Sequence, residues 1–159
     1  MGHECLYYYS VEEYTKSKNC RGDSNSFRLL YLNARSIRKH GKFDNLKELI
    51  SDLLPSAVAV TETWLSENEE EYYKIPGYSL FVSSRTSHRG GGVLLYVSNA
   101  RSSKLIKTDG ADHSTLTVKL KSSEISFNIT VAYNPNERNT PNLDETLDSL
   151  FSCMLIQAL

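Results

Sequence analysis

The chain has 159 residues, 40% of them apolar and 23% charged, with a formal net charge of −1. That length suits one domain of ordinary size, and the balance of apolar and charged residues excludes a disordered chain. The near-neutral total gives no electrostatic signature of nucleic-acid binding over the chain as a whole, and no apolar run is long enough for a membrane span or a secretory core.

Residues 1–26 read as a polar, poorly ordered extension, with Tyr7-Tyr8-Tyr9 but no sustained period. The domain is expected over 27–159. It opens with a short apolar strand, Phe27 to Leu32, that runs into Asn33. Phe43, Leu46, Leu49, Ile50, Leu53 and Leu54 recur at helical spacing, and Pro55 ends the helix. The β-branched run Ala57 to Thr61 follows at once. This strand–helix–strand order predicts two parallel strands joined by a right-handed crossover.

Short strands with tight turns come next. Tyr78 to Ser83 and Val93 to Ser98 are separated by Arg89-Gly90-Gly91-Gly92, which reads as a flexible hairpin turn. Because this glycine run precedes a strand, it lacks the geometry of a nucleotide-binding loop. Thr115 to Leu120 and Ile125 to Ala132 alternate apolar and polar residues, as an antiparallel hairpin with one buried face does. Asn142 with Glu145 resembles a capping box, opening a helix whose stripe is Leu143, Leu147, Leu150, Phe151, Met154 and Leu155.

Cys5, Cys20 and Cys153 form neither a zinc spacing nor a disulfide framework, so a reducing compartment is expected. Asn128-Ile129-Thr130 and Arg21-Gly22-Asp23 are read as chance matches. Two basic clusters stand out: Arg35, Arg38, Lys39, His40 and Lys42, then Arg85, His88 and Arg89. Each taken alone is a solvated loop.

The feature that invites chemistry is Glu62, a carboxylate directly after the apolar strand Ala57 to Thr61. Strand ends are where α/β folds place reactive groups, and a lone carboxylate there wants a cation or solvent. Asn33 ends the first strand as Glu62 follows the second. Adjacent parallel strands lie about 5 Å apart, so the two side chains can converge. An amide beside a carboxylate suits a hard cation such as magnesium, which keeps several waters. From pattern alone, Asn33 is more often a strand-end turn residue and Glu62 more often a capping or solvated group, and the pattern favours that plainer reading of each. Tyr133, at the end of the last hairpin and before Pro135, reads the same two ways.

The order of pieces carries more than any one of them. Leu32-Asn33-Ala34-Arg35-Ser36-Ile37, a helix, Val60-Thr61-Glu62-Thr63-Trp64-Leu65, Arg89-Gly90-Gly91-Gly92-Val93 and Ala132-Tyr133-Asn134-Pro135 occur in sequence. Over residues 27–157 this resembles the endonuclease domain of non-LTR retrotransposons. That domain belongs to the exonuclease–endonuclease–phosphatase superfamily, which also holds the apurinic/apyrimidinic endonucleases. Those repair enzymes tend to carry an acidic ligand two residues after the asparagine, and Arg35 stands there instead, favouring the retrotransposon branch.

The resemblance implies an α/β fold, a four-layer α/β/β/α sandwich of mixed sheets with flanking helices, represented in part. It implies hydrolysis of DNA phosphodiesters with Mg2+, or Mn2+ in its place. Glu62 would hold the metal, Asn33 would orient the site and Tyr133 would position the phosphate. Arg35, Arg38 and Asn136 would touch DNA. DNA is then a partner, a reverse transcriptase domain would follow in a longer relative, and a nuclear location goes with both. The superfamily's phosphoinositide, sphingomyelin and poly(A) substrates are disfavoured by the Thr61-to-Leu65 and Arg89-to-Gly92 wording.

Residues that the resemblance places later, a Gly-Asp-Phe-Asn and a final Asp-His pair, have no counterpart here. Phe43-Asp44-Asn45 and Asp112-His113 stand in the wrong order to replace them. The sequence therefore predicts a domain truncated before its second half, inactive alone, with unpaired sheet edges and uncovered apolar faces. The alternative is a non-catalytic remnant that binds DNA or protein.

Overall fold

The computed structural model describes residues 27–84, 90–109, 114–121 and 126–133. The expected extension over 1–26, the helix opening at Asn142 and Asn136 lie outside them.

Strand β1 (Leu29–Asn33) leads to helix α1 (Lys42–Leu53) and then to β2 (Ala57–Thr61). The helix ends where Leu54 turns left-handed (φ 45°) and its N–H donates to the Ile50 carbonyl at 2.9 Å. Pro55 follows, so the helix has no way to continue. A short 3-10 turn (Glu70–Tyr73) precedes β3 (Tyr78–Ser83) and β4 (Val93–Ser98). Strands β5 (Ser102–Asp109), β6 (Ser114–Lys121) and β7 (Ser126–Tyr133) complete the described part.

Two sheets result. The first has the order β1-β2-β4-β3, with β1 parallel to β2 and the other pairs antiparallel. The second is the antiparallel set β5-β6-β7. Strand β2 is buried along its whole length because each face of the first sheet is covered. On one side Val58, Val60, Leu94 and Tyr96 pack under α1 through Leu46 and Ile50. On the other, Ala57, Ala59, Val93, Leu95 and Val97 meet Leu116, Val118, Leu120, Phe127, Ile129 and Val131 of the second sheet. Each fully buried Val or Leu contributes about 1.5–3 kcal/mol, so these two cores hold the layers together. The described residues are thus three stacked layers, helix on sheet on sheet, of an α/β sandwich.

The structure departs from the sequence reading at the start of β1 and at β5. The first strand begins at Leu29, because Phe27 instead meets Phe127 edge-on at 4.8 Å, and the Arg28 carbonyl accepts the Ser56 and Ala57 N–H groups. Strand β5 was not anticipated. A register shift between Leu105 and Lys107 breaks its two-residue period, which hides it from pattern reading. The outward face of the second sheet is polar, as the alternation in the hairpin predicts: Lys104, Lys107, Lys119 and Lys121 share it with Thr117 and Thr130.

Candidate active site

Strands β1 and β2 run in register from Leu29 opposite Ala57 to Asn33 opposite Thr61, so they end together. Asn33 then lies beside Glu62, and its Nδ2 donates to Glu62 Oε1 at 3.0 Å. The amide's other atom, Oδ1, accepts the Arg35 N–H at 3.2 Å. Asn33 is therefore fixed from both ends of its amide, and one carboxylate oxygen of Glu62 is fixed with it.

The chain beyond β1 is laced to the chain beyond β2. Ala34, Ser36 and Ile37 N–H groups donate to the carbonyls of Thr61, Glu62 and Thr63 at 2.9, 2.8 and 3.0 Å. The Lys42 ammonium donates to the carbonyl of Ala34 and, at 3.3 Å, to that of Arg35. This lysine is a clamp on the Asn33 loop, where the sequence suggested a solvated basic cluster. The lacing forces positive φ on non-glycine residues: Arg35 (43°), Ser36 (76°), Glu62 (52°) and Trp64 (59°). Each such residue costs on the order of 1–3 kcal/mol and persists only where its surroundings over-determine it.

The glycine run has a docked role rather than the free hairpin turn expected of it. The Thr63 N–H donates to the Gly92 carbonyl at 3.2 Å, and the Trp64 N–H to the Gly91 carbonyl at 2.9 Å. These bonds carry the β2–β4 pairing past the strand ends, beside Glu62. At Gly92 the φ is 81°, and an added Cβ would stand 2.5 Å from Thr63 Oγ1. The Gly92 N–H in turn donates to Ser114 Oγ at 2.9 Å, which joins the first sheet to the second.

Ser114 lies opposite Tyr133 across the β6–β7 pair. Asn33, Thr61, Val93, Gly92, Ser114 and Tyr133 therefore share one end of the sandwich. Tyr133, half-buried, packs on the inter-sheet core there. Tyr31, which the sequence reading passed over, sits two residues before Asn33 on the same face of β1, and its hydroxyl shares a hydrogen bond with Thr61 Oγ1 at 3.1 Å. That spacing was the available signal. Arg35 is exposed at the rim. Arg38 is held by Glu69, with Nη2 at 3.3 Å from Oε1, and Glu69 also accepts the Ser66 N–H at 2.8 Å.

Among the described residues no group of three His, Cys, Asp or Glu side chains gathers as a metal cage. The donor set at the strand ends is one carboxylate with an amide fixing it. That fits a hard cation held in magnesium's sparse manner, by one or two carboxylates and several waters, and it does not fit a closed zinc site.

No protein-family profile matches the chain. Solved structures do. The chain is similar to zebrafish (D. rerio) TDP2 complexed with a single-stranded DNA product, at TM-score 0.56 and 13% identity, covering 79% of this chain and 53% of that one. It is similar to the AP endonuclease LMAP of Leishmania major, at TM-score 0.54 and 15% identity, covering 67% of this chain and 40% of that one. It is also similar to the endonuclease domain of TRAS1, a telomere-specific non-LTR retrotransposon, at TM-score 0.53 and 13% identity, covering 79% of this chain and 52% of that one. The chain thus spans about half the length of the structures it matches. What the chain shares with them is the fold, an α/β sandwich represented here in part.

Proposed function

We propose that this chain carries one part of a magnesium-dependent DNA phosphodiesterase site of the kind found in non-LTR retrotransposon endonucleases. The observation that carries the reading is the Asn33–Glu62 hydrogen bond at the paired ends of β1 and β2. It joins the two motifs on which the sequence resemblance turns, in the fold of a retrotransposon endonuclease domain.

In this reading Glu62 holds the cation and Asn33 fixes the carboxylate that does so. Tyr133 stands toward the phosphate, and Arg35, Arg38 and Asn136 meet the DNA backbone, since such contacts position a duplex without reading its sequence. When bound, the ion offsets charge that builds on the phosphate and its leaving oxygen. The residues that the resemblance puts at the attacking nucleophile have no counterpart among these 159 residues. Each missing acid–base group typically supplies a factor of roughly 10²–10⁴. The 159 residues are accordingly expected to bind a divalent cation and DNA without appreciable turnover. A nuclear location and a reverse transcriptase domain in a longer relative belong to the same reading.

Two measurements test it. Calorimetric titration with Mg2+ and Mn2+ should show weak binding that Glu62→Gln removes; equal binding by parent and variant would refute the role of Glu62. Supercoiled plasmid with Mg2+ should stay uncut. Metal-dependent nicking lost in Glu62→Gln would show that these residues suffice for catalysis and would overturn the partial-site reading.

A further inference from the structure

We propose that Trp64 is a stacking platform for an unpaired base of a DNA strand whose phosphodiester lies at Glu62. The ligand class rests on the nuclease reading; the place rests on Trp64 itself.

From Thr61 to Leu65 burial alternates: Thr61, Thr63 and Leu65 are buried, while Glu62 and Trp64 are partly exposed. The carboxylate and the indole, two residues apart, therefore both reach solvent. Trp64 is a member of neither hydrophobic core, although it is the largest apolar side chain in the sequence. Both its own φ (59°) and that of Glu62 (52°) are left-handed, and its N–H is tied to the Gly91 carbonyl at 2.9 Å. The backbone is therefore pinned in an unfavourable conformation that keeps the ring at the rim.

The ring's surroundings suit a base. Gly90 passes along its edge, so close that an added Cβ would lie 3.5 Å from Nε1 and 3.7 Å from Cε2. The Lys39 ammonium stands over the ring at 6.0 Å from its centroid. That is the outer limit of a cation–π contact, so the lysine is free to turn to a phosphate when a base takes its place. An indole with a lysine beside it is the combination by which single strands are held: the base stacks, whatever its identity, and the cation meets the backbone. A base inside a duplex has no free face to offer, which makes the unpaired strand the occupant.

Trp64 is the only tryptophan, so intrinsic fluorescence reports on this ring alone. The full chain is titrated with a short single-stranded oligodeoxynucleotide and with the duplex of the same sequence, while anisotropy of a labelled strand gives affinity independently. The single strand should quench Trp64 saturably, with a midpoint matching the anisotropy Kd, and the duplex should quench it less. Trp64→Ala should weaken single-strand binding roughly 5- to 150-fold, the range of one lost stacking contact. Trp64→Phe keeps an aromatic face and should retain most of the affinity. Circular dichroism establishes that both variants fold.

Binding without quenching, no single-strand binding, or duplex quenching equal to that of the single strand would overturn the proposal. So would Trp64→Phe as weak as Trp64→Ala. Quenching is read on the parent protein, so the proposal stays testable if Trp64→Ala does not fold. Glu62→Gln separates the two readings: if cation binding survives that change the metal role fails, whereas the stacking signal stands or falls on its own.

Discussion

Replacing Gly92 with alanine should be among the most damaging single-methyl changes in this protein, and the structure says why. Gly92 has φ 81°, a left-handed conformation that costs an L-residue roughly 1–2 kcal/mol. The new Cβ would also meet Thr63 Oγ1 at 2.5 Å, well inside contact. Thr63 is fully buried, and both of its neighbours along the chain are hydrogen-bonded, so little can give. Overpacking of this kind adds about 1–3 kcal/mol. Gly92→Ala should therefore cost about 2–5 kcal/mol in urea unfolding, a large share of a typical domain's 5–15 kcal/mol. In a thermal melt that is a fall of roughly 5–20 °C. A double-mutant cycle isolates the contact. Thr63→Ala removes the obstructing oxygen, so in that background Gly92→Ala should cost only the backbone term, leaving a coupling of about 1–3 kcal/mol. A cost under about 1 kcal/mol for Gly92→Ala, or equal costs in both backgrounds, would refute the claim that the glycine run docks on the Glu62 segment.

Tyr96 is fully buried and its hydroxyl donates to the Tyr73 carbonyl at 2.7 Å, so Tyr96→Phe should cost about 0.5–1.5 kcal/mol in the same assay. Burial also pushes the ionisation of Tyr96 upward, as it does for Tyr73 and Tyr78. The unfolded chain then loses protons near pH 10 while the native state keeps them, so stability should fall as pH rises past about 10. Tyr96→Phe should make that alkaline fall shallower; an unchanged slope in pH-dependent melts would count against it. Lys104 and Lys119 are direct cross-strand neighbours, and like charges so placed repel. Lys119→Glu should stabilise the second sheet by about 0.2–1 kcal/mol at low salt, and the gain should shrink as salt is added. Arg38 is half exposed in its pair with Glu69, so Arg38→Ala should cost under about 1 kcal/mol of stability. A larger loss of DNA affinity would mark Arg38 as a direct phosphate contact, and unchanged affinity would remove it from the interface.

What pattern reading captured here follows from where local and global preferences agree. Strands β2, β3 and β4 have the bounds that their apolar runs suggest, because β2 and β4 are buried on both faces and β3 pairs along the length of β4. The parallel β1–β2 pair followed from the intervening helix, and it brought Asn33 to Glu62 as the strand ends required. What escaped depends on contacts that no local window contains. The bulge in β5 shifts Lys107 onto the face that Ile106 would otherwise take. The lysine face of the second sheet is assembled from Lys104 and Lys107 on one strand and Lys119 and Lys121 on the next, so a near-neutral total conceals a concentrated positive surface. Glycines that look like punctuation between two strands are held against a segment nearly thirty residues earlier in the chain.

The residues least legible in the sequence also crowd around the candidate site. Arg35, Ser36, Glu62 and Trp64 all adopt left-handed backbone without being glycine, and they sit within the two loops laced together beyond β1 and β2. Natural sequences keep local preference and fold consistent except where a site needs otherwise. The strain here is carried by backbone bonds from Ala34, Ser36 and Ile37, by the Lys42 clamp and by the docked glycines. Those supports come from separate segments of the chain, and together they leave one carboxylate and one indole partly exposed, two residues apart. A loop that served only to connect strands would relax at Glu62 and Trp64 instead. Of the six non-glycine residues with left-handed backbone among the described residues, four stand in these two loops beside Asn33, and that concentration is what singles the loops out as a candidate site.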